Sequence, residues 1–147
     1  MAKLHLITIG KPKLSFAKAG IEEYLGRLKH YGQVTTTVLP EASVEEEGRK
    51  LLQASEGMFR VILDERGKTC RSRELAEKLE QWDLRAVKDV AFLIGGANGH
   101  GSILKEKADW LFSLSTLTLQ HEMALLLLVE QLYRAQSIRR GEPYHRE

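Results

Sequence analysis

The sequence predicts an α/β protein with a mostly parallel sheet covered by helices on both faces. Aliphatic runs of strand length alternate with stretches of helical periodicity along the whole chain. The run at residues 90–94 is apolar at every position and the run at 60–64 at its three central ones, as strands buried on both faces are. Each run also ends on a breaker: Gly10-Lys11-Pro12, Pro40, Gly67 and Gly95-Gly96.

The first strand is expected at residues 3–9, where apolar side chains alternate. Ala17, Ile21, Tyr24, Leu25 and Leu28 then share one face of a first helix. Residues 34–39, rich in Val and Thr, give a second strand stopped by Pro40. Ser43 and Glu46 have capping-box spacing for a second helix that runs to about Ser55. A short strand at 60–64 is closed by Glu65-Arg66-Gly67. Leu75, Ala76, Leu79 and Trp82 mark a third helix, with Ser72 as its expected cap. The strand at 90–94 enters the glycine segment, a short helix starts near Ser102, and residues 110–114 form a fifth strand. A long helix from about Glu122 to Arg139 ends the pattern.

The 147 residues form one domain, 1–147, without linker, repeat or low-complexity segment. Charged residues make up 29% and hydrophobic ones 43%, which excludes a disordered chain. Net charge is only +2, so contact with nucleic acid must come from local clusters such as Arg60, Arg66, Lys68, Arg71 and Arg73. Cys70 is the single cysteine, so an internal disulfide and a cysteine metal cluster are excluded, which suits a reducing cytoplasm. The longest apolar run, 123–129, is seven residues, so no membrane segment is expected, and no signal peptide is recognisable. That same run is apolar all round its helix: one face covers the sheet and another calls for a second copy of the chain.

In a parallel sheet, ligands sit beyond the carboxyl ends of the strands. Three segments fall there: the one after Leu63, residues 95–101, and residues 115–120. Residues 95–101 hold four glycines, which permit sharp turns and close approach of backbone to a ligand. Two phosphate loops are excluded by spacing. Ala97 and Asn98 break G-x-G-x-x-G, and a Walker A loop from Gly96 meets Ser102 where lysine is required. In Leu114-Ser115-Thr116-Leu117-Thr118-Leu119, hydroxyls alternate with leucines, so backbone groups there can read an adenine edge while leucines cover its faces. His121 stands alone at a helix start, and no metal site is expected. Residues 131–147 carry four arginines and one histidine against two glutamates, ending in Tyr144-His145-Arg146-Glu147. Such a tail can stack on a base, move a proton and grip phosphate.

Taken in order, Phe92-Leu93-Ile94-Gly95-Gly96, the run from Ser113 to Leu119 with His121, Glu130-Gln131-Leu132-Tyr133-Arg134-Ala135 and Pro143-Tyr144-His145-Arg146-Glu147 resemble the ribosomal RNA large subunit methyltransferase H family. The resemblance extends along essentially the whole chain. It implies a SPOUT methyltransferase whose C-terminal part threads a trefoil knot, a homodimer, and S-adenosylmethionine bound in the knot. The cofactor positions it implies are Leu63, Gly95, Leu114, Ser115, Thr116, Leu117, Thr118 and Leu119. It also implies methylation of N3 of a pseudouridine in helix 69 of 23S rRNA, within the assembled ribosome. His145 is then the candidate base for the imide proton, or positions the uracil; Arg146 holds phosphate or stabilises the imide anion; Tyr144 stacks. The alternatives are a SPOUT enzyme with another RNA target and a catalytically idle ribosome-binding protein of the same fold. Where the family commonly reads Gly-Gly-Pro-Glu-Gly, this chain has Ala97 and Asn98. Where it reads Leu-Pro-His with an arginine four residues past the histidine, this chain has Gln120 and Leu125.

Overall fold

In the computed structural model, which describes residues 1–97 and 99–146, five parallel strands form one sheet in the order β2-β1-β4-β3-β5. The strands are β1 (Lys3–Ile9), β2 (Val34–Leu39), β3 (Phe59–Lys68), β4 (Asp89–Ile94) and β5 (Trp110–Phe112). The helices are α1 (Ser15–Leu28), α2 (Val44–Ala54), α3 (Ser72–Leu84), α4 (Ser102–Glu106) and α5 (His121–Arg139). The predicted α/β class and parallel sheet are therefore observed.

The period-two rule sorts each strand between two cores. Leu4, Leu6, Val61, Leu63, Val90, Phe92 and Ile94 pack under α1, α3 and α5. Ile7, Ile9, Ile62, Ala91 and Leu93 face α2 and α4 through Leu51 and Leu104. Phe92, Leu93 and Ile62 are completely buried, and each contributes roughly 2 kcal/mol by leaving water. That burial on both faces is why β4 and β3 sit centrally, whereas threonine-rich β2, with exposed Val38, forms an edge. On the α2 side of the sheet, His5 is held between Asp89 (2.8 Å) and Thr35 (2.9 Å) across three strands.

Helix α5 lies between α1 and α3. Gly20 makes the first contact close, since a Cβ there would come within 2.7 Å of Leu126 Cδ1. On the other side Ser72 Oγ donates to Gln131 Oε1 at 2.6 Å. Leu125, Leu128, Val129 and Leu132 are buried in this layer, and Leu127 remains exposed.

Four boundaries depart from the sequence expectation. β3 continues past Asp64 to Lys68, because Gly67 lies flat against the β5 backbone: a Cβ there would sit 2.6 Å from the Leu111 carbonyl carbon. The register shifts between Leu63 and Lys68, so this extension is bulged. β5 ends at Phe112, two residues early, as the chain turns on Ser113 Oγ, which donates to the Ser115 carbonyl at 2.6 Å. At α2 only half of the capping box forms: Ser43 Oγ accepts from the Glu46 amide (3.2 Å), while it is Glu47 that accepts from the Ala42 amide (2.9 Å). Arg71, not Ser72, occupies the α3 cap; Glu74 accepts from its amide at 2.7 Å and the Ser72 hydroxyl is spent on Gln131.

Candidate functional site

The three segments assigned to the strand ends meet around one cavity of about 610 Å³, a size that suits a small cofactor. Leu63, Gly95, Leu114, Ser115, Leu117, Thr118 and Leu119 all line it. Thr116 is exposed and does not line it. The glycine segment closes into a tight turn in which the Gly99 amide donates to the Gly96 carbonyl (3.1 Å) with Gly99 at φ 76°. Gly95 has no room for a side chain: a Cβ would lie 2.9 Å from His100 Cε1 and 3.1 Å from the Gly99 carbonyl.

The opposite wall is fixed at its exit. Gln120 caps α5, its side-chain carbonyl accepting from the amides of Glu122 (2.8 Å) and Met123 (3.0 Å). Glu122 in turn accepts from the Lys13 (2.5 Å) and Leu14 (2.9 Å) amides ahead of α1. Those main-chain bonds, the Leu14 amide foremost, hold the Glu122 carboxyl below its ordinary value. Thr118 donates to Glu65, joining this wall to the β3 extension.

Sequence reasoning overlooked three polar groups on the cavity. Asp64 accepts from the Arg66 amide (2.8 Å) and pairs with Lys105 (3.1 Å). Burial works to raise the Asp64 carboxyl, but these two partners outweigh it and keep the carboxyl below its usual range. His100 bonds through Nε2 to the Leu63 carbonyl at 2.9 Å. Its place inside a glycine-rich run is the signal the sequence offers.

The C-terminal tail lies elsewhere. Helix α5 ends in a reversal: Gly141 takes φ 67° and the Glu142 amide donates to the Ser137 carbonyl at 2.9 Å. The tail then folds back along its own helix. Tyr144 donates to Glu130 (2.8 Å) and packs edge-on against Tyr133 (4.6 Å). Arg134 stacks over the Tyr144 ring (4.7 Å) and bonds His145 Nδ1 at 3.1 Å. A guanidinium only donates, so Nδ1 accepts and the ring proton sits on Nε2. Arg146 is exposed; Glu147, like Asn98 of the glycine segment, lies outside the described residues. Glu130 is nine residues along α5 from His121, about 13 Å, and none of Tyr144, His145 or Arg146 lines the cavity of its own chain.

Among the cations marked in the sequence, Arg60 is structural, donating to Ser55 Oγ (2.8 Å) and the Leu52 carbonyl (3.0 Å). Arg66, Lys68 and Arg71 are exposed on the β3 extension and the start of α3, with Arg66 on the cavity itself. Burial pushes the Cys70 thiol up to about 11, so it is protonated and unreactive at neutral pH. No helix among the described residues is long and apolar enough to cross a membrane.

Residues 2–145 match the family model described as "Predicted SPOUT methyltransferase". Over 144 residues the chain is 44% identical to a ribosomal RNA large subunit methyltransferase H of Thermus thermophilus, covering 98% of each. Against the protein of the same name from Deinococcus radiodurans the identity is 43%, covering 98% of this chain and 99% of that one. The chain belongs to this family. Among solved structures, a probable methylase family protein from Haemophilus influenzae superposes with TM-score 0.59 at 14% identity, over 99% of this chain and 71% of that one. The SpoU methyltransferase AviRb from Streptomyces viridochromogenes, solved with AdoMet, gives 0.50 at 13% identity over 95% and 61%. These two likenesses concern the fold. Of the family departures, Gln120 serves as a helix cap and Leu125 is buried on the inner face of α5, so that position presents no cation to a substrate.

Proposed function

We propose that the chain is an S-adenosylmethionine-dependent methyltransferase of the large ribosomal subunit RNA, acting on N3 of a pseudouridine in helix 69 of 23S rRNA in the assembled ribosome. The observation that carries the cofactor reading is the cavity walled by the glycine turn and residues 114–119, at the carboxyl ends of the strands. Its residues fit the group. Gly95 lines the cavity while its missing side chain lets the His100 ring and the Gly99 carbonyl close against it, Leu114, Leu117 and Leu119 offer apolar cover, and main-chain groups between them can read an adenine edge. Because the chain returns from β5 to the end of β4 to complete this cavity, we take the 113–121 segment to be the threaded part of a trefoil knot.

S-adenosylmethionine supplies an electrophilic methyl group on a sulfonium. The protein's work is then to hold the imide nitrogen in line and to manage its proton. Tyr144, His145 and Arg146 are assigned to the RNA side. They lie too far along α5 to serve their own cavity, which supports a homodimer in which the tail of one subunit completes the site of its partner. Exposed Leu127 and Leu117 are apolar surface that such a pairing would cover. With Arg134 donating to Nδ1, the ring proton of His145 sits on Nε2. His145 is assigned to the uracil, either donating to a carbonyl and stabilising the imide anion or taking the imide proton. Arg66, Lys68 and Arg71 supply cations near the cavity for phosphates. Work on assembled ribosomes implies a cytoplasmic enzyme.

Labelled S-adenosylmethionine incubated with ribosomes from cells lacking the enzyme, followed by mapping of the modified base, tests this directly. Label at a single helix 69 pseudouridine is expected; label at another nucleotide overturns the target, and no transfer at all overturns the activity.

A further inference from the structure

We propose that His100 is a positioning residue for the cofactor: its Nε2–H ties the glycine turn to the end of β3, holding Leu63 and Gly95 in register as one wall. This rests on the cofactor reading above. The bond from Nε2 to the Leu63 carbonyl is 2.9 Å and joins residues 37 apart in sequence. Leu63 is the last residue of β3 paired in regular register before the bulge, so its carbonyl stands where the sheet stops organising the backbone. The imidazole also fills the space left by the missing Gly95 side chain, with Cε1 2.9 Å and Nδ1 3.0 Å from where a Cβ would be. One ring therefore contacts both segments.

The other nitrogen argues that the ring is there for this bond and not as filling. Among the described residues, no group hydrogen-bonds the buried Nδ1. A leucine would fill the space without that defect, and a buried unpaired polar atom costs stability. Burial also pushes His100 below its ordinary value, although Asp64, the Leu63 carbonyl and Glu47 pull the other way; Lys105 reinforces the lowering. The neutral ring has one N–H to donate, and the Leu63 carbonyl accepts that hydrogen bond.

Two substitutions separate the strap from a space-filling role. His100→Gln keeps an N–H donor at about the reach of Nε2, whereas His100→Leu keeps the volume, removes the donor and also removes the unpaired nitrogen. Isothermal calorimetry with S-adenosylhomocysteine and thermal unfolding of the free proteins give two independent orders. We expect His100→Gln to bind within about threefold of the parent and His100→Leu to bind at least about tenfold more weakly, the scale of one hydrogen bond. His100→Leu should nevertheless melt no lower than His100→Gln. With saturating S-adenosylmethionine the leucine variant should recover most of its turnover, the defect appearing in KM. Affinity for His100→Leu equal to or better than for His100→Gln overturns the proposal, as does a leucine variant whose weak binding simply tracks a lower melting temperature. If the parent binds no S-adenosylhomocysteine, the cofactor reading fails and this inference with it; parental binding with the wrong order sinks this inference alone.

Discussion

At its N-terminal end α5 is fixed by main-chain amides of distant segments; at its C-terminal end the chain returns onto the same helix through side chains. Glu122 holds the amides of Lys13 and Leu14, more than 100 residues away, and Gln120 caps the helix beside it. Tyr144 and His145 instead rest on Glu130 and Arg134 of α5, and the hydroxyls of Tyr24 and Tyr31 reach the tail at Tyr144 and Glu142, in every case through side chains. Long-range main-chain anchoring makes the cavity end part of the folded core. Side-chain contacts leave the tail held by bonds that an RNA or a second subunit can replace, each worth about 1–3 kcal/mol net. A cofactor pocket needs the first kind of construction, and a substrate-contacting arm can use the second.

Shape should dominate at the cavity end, so the largest effect is expected from Gly95→Val. Its Cβ meets the pinned His100 ring and the Gly99 carbonyl at 2.9 and 3.1 Å. We expect S-adenosylhomocysteine affinity to fall by at least about 100-fold, with circular dichroism unchanged. Undiminished calorimetric affinity would erase the assigned site.

The tail should show the converse. Removal of residues 144–147 is expected to leave S-adenosylhomocysteine affinity within about twofold while cutting methyl transfer to ribosomes by about 100-fold or more, the scale of a lost catalytic group. Within that loss, His145→Ala discriminates between the roles of the ring. If His145 donates through Nε2–H, the fold-loss should vary little as pH rises above neutrality; if it removes the imide proton, the loss should shrink as solvent deprotonation takes over. A truncated chain with parental single-turnover rates would reduce the tail to a frayed end.

The contrast also marks what could be read from the sequence. Strands β1, β2 and β4 and the span of α5 were legible to within a residue or so, because each is announced by a local pattern: alternation, β-branched runs, or a long apolar helix. The three cavity segments were legible because parallel sheets present their strand ends to ligands. The β3 extension was not, since Glu65-Arg66-Gly67-Lys68 reads as a turn. It is extended only because Gly67 packs on the Leu111 backbone, a contact no local window contains. The return of the tail onto Glu130 and Arg134, and the His100 bond to Leu63, are hidden for the same reason. Ser72 shows a local rule overridden: its hydroxyl bonds Gln131 of α5 instead of capping α3.

A smaller effect is expected at the anchor itself. Glu122→Gln keeps the shape but weakens acceptance from the two amides, and should cost about 1–3 kcal/mol in urea unfolding at neutral pH. The carboxyl is depressed in the folded state, so its contribution is complete above the ordinary value of 4.5 and is lost as pH falls from there through the lower folded value. The difference between parent and variant should therefore narrow across that acid range. A constant difference down to the bottom of it would mean that the charge plays no part in the anchoring.

The smallest effect should come from the residue that turns the tail back. Gly141 sits at φ 67°, in the left-handed region, one residue past the Arg140 cap of α5. The end of α3 offers an internal control, because Ala86 occupies the same kind of position at φ 58°, with the Val87 amide donating to the Trp82 carbonyl at 2.9 Å. An alanine can thus complete this turn in the present chain, at a cost of roughly 1 kcal/mol relative to glycine. Ala86→Gly, at the foot of a helix packed into the core, should recover about that amount in global stability, raising Tm by a few degrees. Gly141→Ala carries the same local strain at the edge of a segment held by replaceable side-chain bonds. It should leave Tm nearly unchanged and instead loosen the tail, read as faster amide exchange at residues 141–146 and a methyl-transfer rate lowered by no more than about tenfold. Equal and opposite Tm shifts from the two substitutions would show that the tail unfolds together with the core, and the distinction between the two ends of α5 would fall.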